Sequence, residues 1–267
     1  MSGVTLTFDG PLARIRLERP DRLNAINAAM WRALPDLVRE IEAVGDALVV
    51  LIEGADGNFS AGADIFEFDA VYADEASARD YLEAIQAGLA AIERLDRPSI
   101  ALTDGATMGG GLALALCCDL RFASDNAQFS TPPARLGLTY GAVELRRLIA
   151  LIGPSRAKEM LFSGRTLLAD EALAIGLVDK VIARDELRAH AAAYANDLSK
   201  LSQFSIRAAK SAVEGVLSGA DFRGLASQAL ALRAALGEDA REGRRAFAEK
   251  RAPKFAFRGS VAEIGSA

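Results

Sequence analysis

Histidine is almost missing from this chain: among 267 residues there is one, His190, set in the helix-patterned run ELRAHAAAYANDLSK. A serine or cysteine nucleophile activated by histidine needs the ring within hydrogen-bond reach, and His190 lies far from any glycine-rich turn. A Ser-His-Asp triad is thereby excluded. Cysteine is nearly as scarce, and Cys117 and Cys118 are neighbours inside an apolar run, which makes them small buried hydrophobes rather than a disulfide framework. They fit a reducing compartment. With so few soft ligands no metal site is expected. Positive charge is not in excess either: the formal net charge is −5, which argues against nucleic acid as a partner. Nor does the chain open on a long apolar run, since Asp9, Arg14, Arg16 and Glu18 interrupt it. No signal peptide and no membrane partner are expected, and the chain reads as cytoplasmic. Carboxylates, tyrosine, water and backbone remain for chemistry.

The length suits one large domain or a domain with an appendage. VTLTF and LARIRL alternate apolar and polar residues on either side of Asp9-Gly10-Pro11, which predicts a hairpin. Residues 26–44 carry a helical stripe, and Pro35 within it predicts a kink or a late start there. ALVVLIE at 47–53 is a continuous apolar run of the kind buried on both faces. SIALT (99–103), LRFA (120–123) and LVDKVI (177–182) are further strands, with a charged helix over about 74–96. This alternation predicts an α/β fold. Beyond about 185 only amphipathic helices remain, with Gly215, Gly219, Gly224 and Gly237 as candidate breaks. The expected division is an α/β core over 1–195 and a helical region over 196–267.

Two loops carry the functional signal, NFSAGADI (58–65) and TMGGGLALAL (107–116). Each follows an apolar strand, and small residues there let a ligand approach the backbone. A tight strand-to-helix turn would use the same residues. Neither loop has the G-x-x-x-x-G-K-[ST] or G-x-G-x-x-G spacing, so both nucleotide-binding readings fail. What is left is a pair of N–H donors, one per loop, that could converge on one oxygen.

Five blocks, in order, resemble the crotonase, or enoyl-CoA hydratase/isomerase, superfamily: RPDRLNAIN, NFSAGADI, GATMGGGLALALCCDLRFASDNAQFSTPPARLGL, LIGPSRAKEMLFSGRTLLADEALAIGLVDKVI and EGRRAFAEKRAPKF. The resemblance covers nearly the whole chain. It implies a ββα spiral core with a C-terminal helical trimerisation region, and an oxyanion hole made by the backbone N–H groups of Ala63 and Gly110 for the thioester carbonyl of an acyl-CoA. Proton removal, hydration and decarboxylation of such thioesters all pass through an enolate-like oxygen. One preorganised donor is worth about 2.7–4 kcal/mol to such a charge, and a helix starting near Gly110 adds its positive end.

Hydratases of this family carry two glutamates that handle water, at positions that here are Ala113 and Pro133. Neither side chain can move a proton, so the two-glutamate hydration mechanism is unavailable. Nearby polar candidates are Tyr140, which resembles a tyrosine of the methylmalonyl-CoA decarboxylase branch, and Glu144. Tyr140 could orient a substrate carboxylate or protonate an enolate, or merely make one hydrogen bond in a loop. Glu144 could act as acid or base, or pair with Arg146 or Arg147. Glu67 and Asp69, in the segment 66–83, are further sources of an acid.

The resemblance places Arg22, Leu23 and Ala25 along the coenzyme A path, with Ala61, Asp64 and Ile65 of the first loop. Lys250 and Lys254 would reach the 3′-phosphate, unless that tail is only a solvated helix. Asp64 reads more simply as a residue that fixes its own loop through backbone bonds. Coenzyme A enters as part of the substrate, and no separate cofactor is implied. The family assembles as homotrimers or dimers of trimers, for which Phe204, Ile206, Val213, Val216, Leu217, Leu225, Leu230 and Leu232 offer apolar surface. The readings are therefore an acyl-CoA enzyme of this family, a decarboxylase of malonyl- or methylmalonyl-type thioesters using Tyr140, or a relative that binds acyl-CoA without turnover.

Overall fold

The turn at Gly10, at φ +55°, folds strand β1 (Val4–Asp9) back onto β2 (Leu12–Leu17), with Val4 opposite Leu17 and Asp9 opposite Leu12. The computed structural model describes residues 3–219 and 225–261. Gly224, the Leu225 side chain and residues 262–267 lie outside that description.

After the hairpin, Asn27 caps helix α1 (Ala28–Ala43) by accepting from the Met30 N–H at 2.9 Å. Pro35 does not interrupt α1 as its position suggests. The N–H it lacks would have met the carbonyl of Trp31. That carbonyl instead faces Gly88 of a neighbouring helix, where a Cβ would sit 2.9 Å from it. Close helix packing thus fills the gap that proline leaves.

β3 (Val49–Gly54) is buried throughout. There follow helices α2 (Phe68–Val71) and α3 (Glu75–Arg94), then β4 (Ser99–Thr103), β5 (Ala106–Met108) and α4 (Gly110–Leu116). Next come β6 (Leu120–Ser124), β7 (Gln128–Ser130), α5 (Pro133–Leu136) and α6 (Ala142–Ser163), the last broken at Gly153-Pro154, where φ is +76°. β8 (Leu167–Leu168), α7 (Ala169–Ala174), β9 (Lys180–Ile182) and α8 (Leu187–Ser199) complete the sheets and their cover. β9 is shorter than LVDKVI suggests, because Leu177 and Val178 are bonded back to Ala172 at the end of α7.

The large sheet runs β1-β2-β3-β4-β6-β9, antiparallel only at its first pair, and a small sheet runs β5-β7-β8. The chain passes from one sheet to the other at each step: β4 then β5, β6 then β7, and β3 then Ser60, which bridges to Thr107 of β5. Each step ends in a helix, and the result is the expected ββα spiral. Trp31 and Leu34 of α1 and Leu89 of α3 pack against Ile15, Val50 and Ile52 on one face of the large sheet. Leu187, Ala191 and Ala195 of α8 cover Leu12, Val49 and Ile100 on the other. This double cover is why ALVVLIE is apolar without alternation. Burial raises both cysteine thiols, Cys118 to about 12, and keeps them inert.

Beyond the spiral lie α9 (Gln203–Leu217), α10 (Leu225–Leu236) and α11 (Glu238–Ala248). Gly215 is inside α9 and breaks nothing; Gly219, at φ +78°, follows its end, and Gly237 separates α10 from α11. Among the described residues no helix is long and apolar enough to cross a membrane, and no cluster of metal-ligating side chains forms.

Candidate active site

The two glycine-rich loops are fastened to each other by backbone. Ser60 N–H donates to Ala106 O and Met108 N–H to Ser60 O, both at 2.9 Å. The Ser60 hydroxyl donates to Asn24 O at 2.8 Å and accepts from Gly62 N–H at 3.1 Å. This seam leaves no room for side chains. A Cβ on Gly111 would stand 2.6 Å from Ser60 Cβ, and one on Gly62, at φ +107°, 2.9 Å from Met108 O.

Ala63 lies beside Ile26, but its neighbours make the bonds: Ile26 N–H donates to Gly62 O at 2.7 Å and Asp64 N–H to Ile26 O at 3.0 Å. The N–H of Ala63 consequently faces the other way, toward Gly110. A Cβ on Gly110 would lie 3.3 Å from Ala63 N, and one on Gly62 would lie 3.4 Å from Gly110 N. Among the described residues, neither the Ala63 nor the Gly110 N–H has a protein acceptor. Two unengaged donors from two loops stand side by side at the start of α4.

The carbonyl just before Gly110 joins this pair to the next candidates. Gly109 O accepts from Ala113 N–H at 2.9 Å and from the Tyr140 hydroxyl at 2.8 Å. Burial pushes the Tyr140 phenol well above its ordinary value, and the charge of Glu144 adds to the rise. Glu144 itself is buried and, among the described residues, accepts only from Gln86 Nε2 of α3, at 3.3 and 3.5 Å. Its expected ion pair with Arg146 or Arg147 does not form. Arg147 donates instead to Glu93 at 2.7 Å and to Glu214 at 2.8 Å, and Arg146 donates to Glu93. Ala113 and Pro133 are both buried.

The first loop is held by ions as well. Asp64 pairs with Arg19 at 2.7 Å and accepts from Phe66 N–H at 3.1 Å, which commits it to structure. Glu67 caps α1 by accepting from Ala28 N–H at 2.8 Å, so it is not the free acid the sequence offers, and Asp69 is exposed. Arg22 ends a short helical turn and lies over the Phe66 ring at 4.3 Å, next to exposed Leu23 and Ile65. Ala61 N–H donates to Leu23 O at 2.9 Å, and Ala25 O accepts from Arg19 at 2.8 Å. Leu23 holds a left-handed conformation at φ +49°, which a branched side chain rarely adopts. Arg22, Leu23, Ala25, Ala61, Asp64 and Ile65 therefore form one rim beside the donor pair. The segment that carries Lys250 and Lys254 bonds to Glu242, Asp239, α9 and Asp46, through the Lys254 backbone N–H and through neighbouring residues rather than through either ammonium group.

Sequence reasoning missed Trp31, whose Cζ2 lies 3.2 Å from where a Gly110 Cβ would be, and Gln86, the partner of Glu144. Trp31 hides in the apolar pattern of α1. Gln86 sits on a helix far away in sequence, with no local signal.

Comparison with known proteins supplies the remaining observation. The family described as enoyl-CoA hydratase/isomerase matches residues 7–258. The chain is 36% identical to the protein called probable enoyl-CoA hydratase in Mycobacterium leprae, over 95% of this chain and 98% of that one. It is 34% identical to the crotonyl-CoA hydratase of Syntrophomonas wolfei, over 94% and 97%. The crystal structure of an enoyl-CoA hydratase/isomerase family protein from Hyphomonas neptunium superposes with a TM-score of 0.93 at 41% identity, covering 96% of this chain and 98% of that one.

Proposed function

The chain belongs to the enoyl-CoA hydratase/isomerase family, and we propose that it binds an acyl-CoA thioester, holds the thioester oxygen between the N–H groups of Ala63 and Gly110, and moves a proton with a single carboxylate, Glu144. The observation that carries this reading is the pair of unengaged donors on two loops bonded to each other. Enolate formation puts negative charge on the thioester oxygen, and donors already in position need no reorganisation to meet it. Coenzyme A is then a part of the substrate, along the rim from Arg22 to Ile65, and no separate cofactor takes part.

Proton movement follows from what the site does not have. With alanine at 113 and proline at 133, no second carboxylate is at hand to activate water. A reaction that removes a proton from one carbon and returns it to another needs only one carboxylate, so 3-enoyl to 2-enoyl isomerisation fits better than hydration. Glu144 is buried, pairs with no cation among the described residues, and lies close enough to Tyr140 for its charge to raise the phenol's pKa. The test is a panel of crotonyl-, 3-enoyl-, dienoyl-, malonyl- and methylmalonyl-CoA, with mass reading hydration and loss of CO2, and ultraviolet absorbance of the conjugated enoyl thioester after chromatography reading isomerisation. Isomerised 3-enoyl-CoA, lost in Glu144→Gln, supports the reading; binding without any product supports a silent relative.

A decarboxylase is the second reading, favoured by the Tyr140 hydroxyl at 2.8 Å from Gly109 O. Loss of CO2 generates the enolate without a base, and a phenol with a raised pKa stays protonated until so strong a base forms beside it. Release of CO2 from methylmalonyl-CoA that disappears in Tyr140→Phe would establish it. In either case exposed Val213, Val216 and Leu232 on α9 and α10 support a homotrimer or dimer of trimers. Light scattering that finds a stable 28.2 kDa particle at micromolar concentration would overturn that assembly.

A further inference from the structure

The two N–H groups of the donor pair are held in place by different means. That of Ala63 is fixed from both flanks by backbone, through the bonds Ile26 makes to Gly62 O and to Asp64 N–H. That of Gly110 belongs to a peptide unit whose other end is Gly109 O, and both residues of the unit are glycines. No Cβ restrains its rotation, and Gly109 stands at φ +47° and ψ −116°. The local chain therefore does little to choose which way this N–H points.

The restraint comes from the segment that runs from β7 to the start of α6. Gly109 N–H donates to Ser130 O at 2.9 Å, and the Tyr140 hydroxyl closes on Gly109 O at 2.8 Å. Ser130 is itself anchored, its hydroxyl donating to Gly164 O at 2.9 Å. The N–H of Ala113 meets the same Gly109 oxygen at 2.9 Å. A carbonyl only accepts, so the phenol must be the donor, and burial first, then the charge of Glu144, keeps its proton in place. In a planar trans peptide the N–H points opposite to the C=O. Clamping Gly109 O between two donors thus fixes the direction of the Gly110 N–H, beside that of Ala63. The same bond draws electron density onto the oxygen and leaves the N–H of that unit more positive, as in any chain of amide hydrogen bonds. No ligand has to reach Tyr140 for either effect, because one peptide unit carries both.

We propose that Tyr140 is a positioning residue of the oxyanion hole: its hydroxyl, acting through Gly109 O, orients and polarises the Gly110 N–H that meets the thioester oxygen. The inference rests on the acyl-CoA reading of the donor pair, but not on which proton transfer follows. The Ala63 N–H lies outside this control, so loss of the hydroxyl weakens one half of the hole and leaves the other.

Butyryl-CoA labelled with ¹³C at the thioester carbonyl is the probe, since it has no double bond to hydrate or shift and no carboxylate to lose. The full-length protein is saturated with it, and the carbonyl resonance reads how strongly the donors draw on the oxygen. In the wild type the resonance should move downfield on binding. In Tyr140→Phe, at saturation, it should move less, and the affinity should fall by about twofold to tenfold. A tyrosine that merely stabilised the fold would lower the unfolding temperature in Tyr140→Phe and leave the saturated resonance at its wild-type position. That result overturns the inference and leaves the donor pair standing. A bound wild-type resonance that does not move downfield removes the donor pair and this inference together. Fluorotyrosine at 140 keeps the hydroxyl and makes it a stronger donor, so it should carry the resonance further downfield than the wild type. It decides the matter if Tyr140→Phe does not fold, and a resonance no further downfield would overturn the inference.

Discussion

At the start of α6 the Glu144 carboxylate is buried against a neutral amide, while two and three residues later the half-buried Arg146 and the buried Arg147 pair with two carboxylates. Both arrangements use one face of α6 against α3, yet they suit opposite purposes. The lone pairs of Glu93 are committed to two guanidiniums, so taking a proton would mean dismantling the packing of α3 on α6. Among the described residues Glu144 bonds only to Gln86, so a proton can arrive or leave without breaking an ion pair. Under the proposed function, one helical turn separates a carboxylate that holds the structure from one free to react.

Four experiments bear on this contrast. Glu144→Gln should lower kcat for isomerisation by about 10²–10⁴-fold, with little change in unfolding temperature; kinetics beside thermal unfolding reads both. Unchanged kcat would erase the distinction. Glu93→Gln should do the reverse, costing about 3 kcal/mol in urea unfolding while the folded enzyme keeps its rate. Tyr140→Phe removes one hydrogen bond to Gly109 O, so a loss of about 1 kcal/mol is expected, with kcat reduced less than about tenfold if Glu144 carries the proton.

The smallest effect concerns a third carboxylate, Glu242, clamped by arginines and largely covered by them. Arg251 first, then the Lys254 N–H and Arg245, hold Glu242 at about 2 against an ordinary 4.5. A group whose pKa is lower in the folded state stabilises it above the unfolded value, and the contribution fades as pH falls through the folded one. Unfolding temperatures of wild type and Glu242→Gln should therefore differ above pH 4.5 and converge toward pH 2. Parallel curves throughout would show that the cluster does not anchor the C-terminal tail.

The alternation of strands and helices and both loops were legible because their signals are local: SIALT became β4 residue for residue, and in GGG a Cβ on Gly111 would collide with Ser60 while Gly109 holds φ +47°. The partners of α6 were not legible. Glu144 was expected to pair within its own helix, whereas Gln86 and Glu93, from α3, settled which charges meet. Pro35 misled for the same reason, since the residue that accommodates it is Gly88. In each case the deciding atom comes from a distant segment.

The passage of the chain between two sheets has a bearing on when function can arise. Ala63 follows β3 and Gly110 follows β5, so the donors belong to consecutive windings of the spiral and meet only where Ser60 pairs with Thr107. Neither winding holds half a site of any use. Under the proposed function, catalytic competence would therefore emerge late and all at once during folding, after non-local pairing has been achieved, and a fragment stopping before β5 would be inert however well folded it was.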